Sequence, residues 1–168
     1  MSRTTKFKGE DLTLMGNVLK VGDTVPQFTV TGNDMADLSS KSLAGKTMII
    51  SAIPSIDTPV CAIETKRFND EVSKMANPPV VLTVSMDLPF AQKRWCGSEG
   101  VTAVITASDY KHRNFGEAFG VHIKEWGLLS RAVFVVDKSG KIVHAQYVPE
   151  VSSEPDYESV MDAVRASQ

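Results

Sequence analysis

Thr47-Met48-Ile49-Ile50-Ser51-Ala52-Ile53 runs straight into Pro54-Ser55-Ile56-Asp57-Thr58-Pro59-Val60-Cys61, and the two halves of this passage read as different structures. The first is a continuous, largely apolar run of strand length, suited to a strand covered on both faces. Pro54 ends it. In the second half Thr58 is a favourable N-cap, and Pro59 fits the first helical position, where a missing N–H costs nothing. Downstream, Cys61, Thr65, Phe68, Val72 and Met75 recur at intervals of four and three along one face of a helix, which Asn77-Pro78-Pro79 stops. A buried strand handing over to a helix is the repeating unit of an α/β sheet, and chemistry gathers at such junctions.

Three further runs share the buried-strand character: Val80 to Ser85, Ala103 to Thr106, and Ala132 to Val136. The last passes through Lys138-Ser139-Gly140 into Ile142 to Tyr147, a hairpin signal. Helical patterns fit Leu88 to Cys96, Asn114 to Phe119, and Tyr157 to Ala166. Toward the amino terminus, Lys6-Phe7-Lys8 and Leu12-Thr13-Leu14 alternate around a polar turn at Gly9-Glu10-Asp11 and predict a small β-hairpin on the domain's edge. Gln27 to Val30 is another short strand, followed by a polar connection to Lys46. The expectation is an α/β protein with a mixed central sheet, helices on both faces and an N-terminal β-hairpin, an order that suits a thioredoxin-like fold. No repeat or linker divides residues 1–168, so a single domain is expected.

Composition narrows the partners. The chain has 168 residues, 23% charged and 42% hydrophobic, with a formal charge of -2. That length buries a core without staples, and no basic excess favours phosphate backbones, so nucleic acid is not an expected partner. The residues after Met1 carry positive charge with no apolar run behind it. Nowhere does the chain offer the roughly 18 apolar residues of a membrane span, so no membrane partner and a cytoplasmic address are expected. Its two cysteines are too far apart for a CxxC pair, and its three histidines have no metal-ligand spacing, so no metal is expected.

Cys61 falls in the first turn of its helix, near backbone N–H groups that lack an intrahelical acceptor. Those groups and the positive end of the helix dipole favour the thiolate, the nucleophilic form of the thiol. Thr58 lies three residues earlier on the same side of the turn, where its hydroxyl could bond the sulfur or an attacked oxygen. Arg131 opens a strongly apolar strand, where a charged side chain must reach solvent or a partner. Taken alone, each has a plainer reading: Cys61 as a thiol packed with Phe68 and Val72, Cys96 as part of a packed Trp-Cys-Gly helix end, and Arg131 as a side chain reaching water or an acid.

The spacing Pro54, Thr58, Cys61 within Pro-Ser-Ile-Asp-Thr-Pro-Val-Cys resembles the signature of the thiol peroxidase subfamily of the peroxiredoxins. The likeness continues through Val81 to Gln92, Cys96-Gly97, Ser130-Arg131-Ala132-Val133 and Ser153 to Tyr157, covering nearly the whole chain. Two departures are visible: Pro59 stands where the family often has Gly, and the loop between Gly120 and Arg131 is somewhat short. The resemblance implies a peroxidase acting on hydrogen peroxide or alkyl hydroperoxides with no metal or organic cofactor. It implies that Cys61 becomes a sulfenic acid, that Cys96 resolves it as an intrachain disulfide, and that Arg131 approaches Cys61. Thioredoxin as electron donor and a homodimer as the working unit are implied in the same way.

Two cysteines held on separate helices are not expected to begin within the roughly 7 Å between Cα atoms that a disulfide needs, so local unwinding should accompany oxidation. Two other readings use the same residues: a redox sensor in which the cysteine pair switches a binding surface, and a thioredoxin-like binding domain with inert thiols. A cysteine hydrolase pairing Cys61 with His112, His122 or His144 lacks any residue marked to orient the histidine.

Overall fold

A computed structural model describes residues 3–168. The chain runs through β1 (Arg3–Phe7), β2 (Glu10–Met15), β3 (Thr29–Gly32), β4 (Asp37–Ser39), a 3₁₀ turn at Ser40–Leu43, β5 (Met48–Ala52), α1 (Pro59–Ser73) and β6 (Val80–Ser85). It continues through α2 (Pro89–Glu99), β7 (Ile105–Ser108), α3 (Phe115–Ala118), β8 (His122–Ile123), β9 (Leu128–Leu129), β10 (Ala132–Val136), β11 (Ile142–Tyr147) and α4 (Tyr157–Ala166).

Seven strands form the main sheet in the order β11-β10-β5-β6-β7-β3-β4. Its centre, β5-β6-β7, is parallel, and the flanking pairings are antiparallel. Side-chain alternation divides the core into two layers. Ile49 and Val133 face Phe68 of α1, Trp95 of α2 and Val160 and Val164 of α4. Ile50 and Phe134 face the opposite way, onto Phe28, Phe115 of α3 and Phe119 just after it. The central strands are apolar on both faces for this reason, and the mixed sheet with helices on either side matches the expected thioredoxin-like order.

Several boundaries differ from the sequence reading. The amino-terminal hairpin turns on Lys8-Gly9, both at positive φ, with Phe7 opposite Glu10; this two-residue turn is tighter than the one expected at residues 9–11. The third strand starts at Thr29 rather than Gln27. β7 starts at Ile105 rather than Ala103, because Asn69 of α1 takes the N–H groups of Thr102 and Ala103 on its side-chain oxygen, at 3.2 and 2.8 Å, and keeps them out of the ladder. β4 and the 3₁₀ turn occupy the stretch read as a polar connection. The loop between Gly120 and Arg131 holds β8 and β9, which join the hairpin in a second sheet ordered β1-β2-β8-β9.

Two glycines dock this second sheet against the body. Asn17 donates its N–H to the Glu117 carbonyl at 3.0 Å, and a side chain at Gly16 would run into that same carbonyl. Gly120, at φ 66, closes α3 with its Cα facing the Asn17 carbonyl, leaving no room for a Cβ. Gly120→Ala combines left-handed backbone with a backbone clash and should lower stability by about 2 kcal/mol in urea titration. An unchanged midpoint would show that the contact yields at no cost.

Candidate active site

The site lies where β5 gives way to α1. Thr58 takes the N-cap position with extended backbone (φ -91, ψ 146), and Pro59 follows as the first helical residue. Cys61 is therefore third in the helix, where its own N–H and that of Val60 have no carbonyl four residues back. The Thr58 hydroxyl makes no capping bond and instead donates to the Ser55 carbonyl at 2.9 Å. The expected N-cap position is thus filled without its usual bond, because the tight turn after Pro54 offers the hydroxyl a nearer acceptor. With its proton engaged, the Thr58 oxygen turns lone pairs toward anything bound beside it.

Arg131, immediately before β10, is 2% exposed and forks between three acceptors. Its Nε donates to the Val151 carbonyl at 3.0 Å, one Nη to Glu64 at 2.5 Å, and the other Nη to the Cys61 sulfur at 3.1 Å. Glu64 is fully buried, one turn after Cys61 on α1, and its second oxygen accepts from the Ser51 hydroxyl of β5 at 3.0 Å. Burial pushes the Glu64 carboxyl up, against the downward pull of Arg131. Burial also works against the charge on Arg131, but the Glu64 and Cys61 charges more than offset it, so the guanidinium holds its proton more firmly than usual. A fixed cation thus sits in hydrogen-bond contact with the sulfur. Alongside, burial and then a hydrogen bond to Glu154 push the Tyr157 phenol well above its usual range, so it stays neutral.

Cys61 itself has no exposed surface. Over it lies an open pocket of about 300 Å³ with Pro54, Thr58 and Arg131 among its lining residues and with walls that include Trp126, Leu128 and Val151. Phe7 from the hairpin completes the wall, packed edge-on against Trp126 with ring centroids 5.0 Å apart. The hairpin, expected only at the domain's edge, thus forms one side of the pocket together with the loop that carries Trp126 and Leu128.

Cys96 lies elsewhere. It sits in the last turns of α2, partly buried, with its sulfur 3.4 Å from the Thr106 hydroxyl of β7. Both cysteines are free. Their sulfurs rest against groups anchored at β10 and β7, three strand spacings apart in the sheet order, or roughly 14 Å at about 4.8 Å per spacing. Among the described residues no cluster of His, Cys, Asp or Glu could hold a metal ion, and no helix is long and apolar enough to cross a membrane.

The reading from sequence missed Glu64 and Ser51. Glu64 stands beside the apolar stripe that begins at Cys61, and an acid there requires a cation. Arg131, the charge at the head of an apolar strand, is that cation. Glu64→Gln leaves the Arg131 charge without its buried partner and should cost about 3 kcal/mol in urea unfolding, whereas Ser51→Ala should cost about 1 kcal/mol. Equal losses for the two variants would argue against a charge pair at the centre of the site.

Comparison with known proteins identifies the family. The redoxin family profile matches residues 20–161. The thiol peroxidase of Bacillus subtilis (strain 168) is 51% identical over 160 residues, covering 95% of each chain. That of Clostridium acetobutylicum is 47% identical over 97% of this chain and 98% of its own. Among solved structures, a peroxiredoxin-like protein from Aquifex aeolicus superposes with a TM-score of 0.92 at 42% identity, covering 100% of this chain and 99% of its own. With a family profile spanning most of the residues and relatives at half identity along nearly their whole length, the chain belongs to the redoxin family, among its thiol peroxidases.

Proposed function

We propose that Cys61 is the peroxide-attacking thiolate, that Thr58 and Arg131 bind and orient the peroxide with Pro54 shielding the site, and that Cys96 resolves the oxidised sulfur. The observation that carries this reading is the Arg131 fork: a guanidinium fixed by Glu64 and the Val151 carbonyl directs its remaining donor at the Cys61 sulfur. Such a donor favours the thiolate before reaction and takes up charge on the leaving oxygen during it.

The Cys61 thiolate attacks the terminal oxygen of R–O–O–H, the O–O bond breaks, and R–O⁻ leaves and takes a proton to become the alcohol, or water when R is hydrogen. Cys61 is now a sulfenic acid, oxidised by two electrons. The Thr58 oxygen, its own proton committed to Ser55, can accept from the peroxide O–H and hold the O–O bond in line with the sulfur. Because Cys61 is sealed, the first turn of α1 must part slightly to admit the terminal oxygen. The apolar pocket walls support alkyl hydroperoxides as substrates alongside hydrogen peroxide.

The Cys96 thiol then attacks the sulfenic sulfur, expelling water and forming the intrachain disulfide. The separate anchoring of the two sulfurs requires part of α1 or α2 to leave its place for this step. Exchange with an external dithiol, proposed to be thioredoxin, returns both thiols and carries the electrons in. A homodimer in the cytoplasm completes the reading, and sedimentation velocity tests the oligomeric state.

One equivalent of hydrogen peroxide should lower the intact mass by two hydrogens in the wild type. Cys61→Ser should abolish peroxide consumption, and Cys96→Ser should consume one equivalent and stop at a sulfenic acid. Arg131→Lys keeps the charge but cannot serve all three acceptors, and should slow oxidation by about 10²-fold. Unchanged turnover in Cys61→Ser would end the proposal, and oxidation without turnover in the presence of a thioredoxin system would favour a redox sensor.

A further inference from the structure

The pocket loop and the helix that carries Cys96 share a hydrogen-bond relay whose centre is Asp87, a half-buried residue between β6 and α2. One Asp87 oxygen accepts from the Ser55 hydroxyl at 2.7 Å. The other accepts from the Ile56 N–H at 2.8 Å and from the Ser85 hydroxyl at 2.6 Å. Ser55 in turn supplies the carbonyl that orients the Thr58 hydroxyl, so the Asp87 carboxyl is two bonds removed from the atom proposed to hold the peroxide. On the other side, the Ser85 oxygen accepts from the Gln92 amide of α2 at 3.0 Å, and the same amide nitrogen reaches the Ala107 carbonyl of β7 at 2.8 Å. Gln92 is buried and lies one helical turn before Cys96.

We propose that Asp87 is a positioning residue that couples the two cysteine-bearing segments, holding the Ser55–Thr58 loop in its peroxide-binding shape and, through Ser85 and Gln92, holding α2 against the sheet until Cys61 is oxidised. The inference rests on Cys61–Cys96 closure as the resolving step. Closure requires Cys96 to leave Thr106, and the turn before it is pinned by Gln92. A loop that moves after Cys61 gains its oxygen pulls Ser55 and Ile56 away from Asp87, so the carboxyl is no longer fixed from that side and the Ser85 and Gln92 links that depend on its position loosen. The relay therefore opposes release of α2 in the reduced protein and yields once the loop shifts.

Such a residue affects the two chemical steps in opposite directions, and a merely structural role would not. Asp87→Asn removes an acceptor from a three-donor cluster, so the loop loses definition and α2 loses its latch. After rapid mixing with hydrogen peroxide, sulfenic acid is read by quench and mass spectrometry. Closure is read by the fluorescence of Trp95, adjacent to Cys96. Asp87→Asn should slow the bimolecular oxidation of Cys61 about tenfold and speed first-order closure roughly fivefold, the latter corresponding to loss of about one net hydrogen bond. Gln92→Met, which cuts only the α2 end, should speed closure similarly while leaving oxidation within about twofold of wild type. It also keeps the test available if Asp87→Asn folds poorly. Parallel slowing of both steps, or closure unchanged in both variants, would overturn the coupling. A wild-type protein that stops at sulfenic acid without closing would instead overturn the resolving role of Cys96.

Discussion

Arg131 is a full positive charge taken out of water, and the site is arranged around making that tolerable. An isolated buried guanidinium would cost several kcal/mol, so each of its directions must meet an acceptor. Val151 supplies a carbonyl, Glu64 a carboxyl and Cys61 a sulfur. The need is mutual. The same three acceptors that satisfy the arginine include the Cys61 sulfur, so burial of the charge and placement of the thiol come from a single arrangement. A buried pair of this sort is weak evidence for added stability, but it fixes geometry, and in-line displacement at an O–O bond depends on geometry.

The main sheet supplies the rigidity this requires. Ser51 and Ala52 of β5 pair with Val133 and Ala132 of β10, so the strand leading to Cys61 and the strand led by Arg131 share a ladder. Glu64 lies on the helix that β5 launches. Arg131, distant in sequence from Cys61 and Glu64, is thereby held against them by adjacent, fully buried strands, and little freedom remains in their relative placement. The surroundings of Cys96 are built differently. Cys96 occupies the last turns of a helix ended by Gly100 in left-handed backbone, over the parallel strand nearest the sheet's outer half. Rigid support lies under Cys61 and looser support under Cys96, as the proposed attacking and resolving roles require.

Much of this was readable from residue order alone, for identifiable reasons. Buried strands announce themselves as apolar runs and packed helices by an apolar stripe, and β6, β10, β11 and α4 fall where those patterns put them. Thr58-Pro59 marked the helix start for steric reasons that hold wherever the helix packs. Two-residue strands such as β8 and β9 leave no periodic trace, and β4 is too short and polar to stand out from a loop. The start of β7 was misjudged because a single asparagine on another helix captures two backbone donors, a tertiary event that no local pattern carries. Cys61, Thr58, Pro54 and Arg131 were legible by spacing and likeness. Glu64 and Asp87 were not, since an acidic side chain looks the same in sequence whether it meets water or completes a buried network.

The complete enclosure of Cys61 has a consequence for which molecules the sulfur meets. An activated thiol in open solvent would react with every passing electrophile, from haloacetamides to strained disulfides. Here the approach acts as a sieve for the width of the reacting end: a terminal peroxide oxygen is one atom across, whereas an alkylating carbon arrives with its substituents and a disulfide sulfur with a chain on either side. Enclosure thus limits, by shape alone, which electrophiles can reach this sulfur.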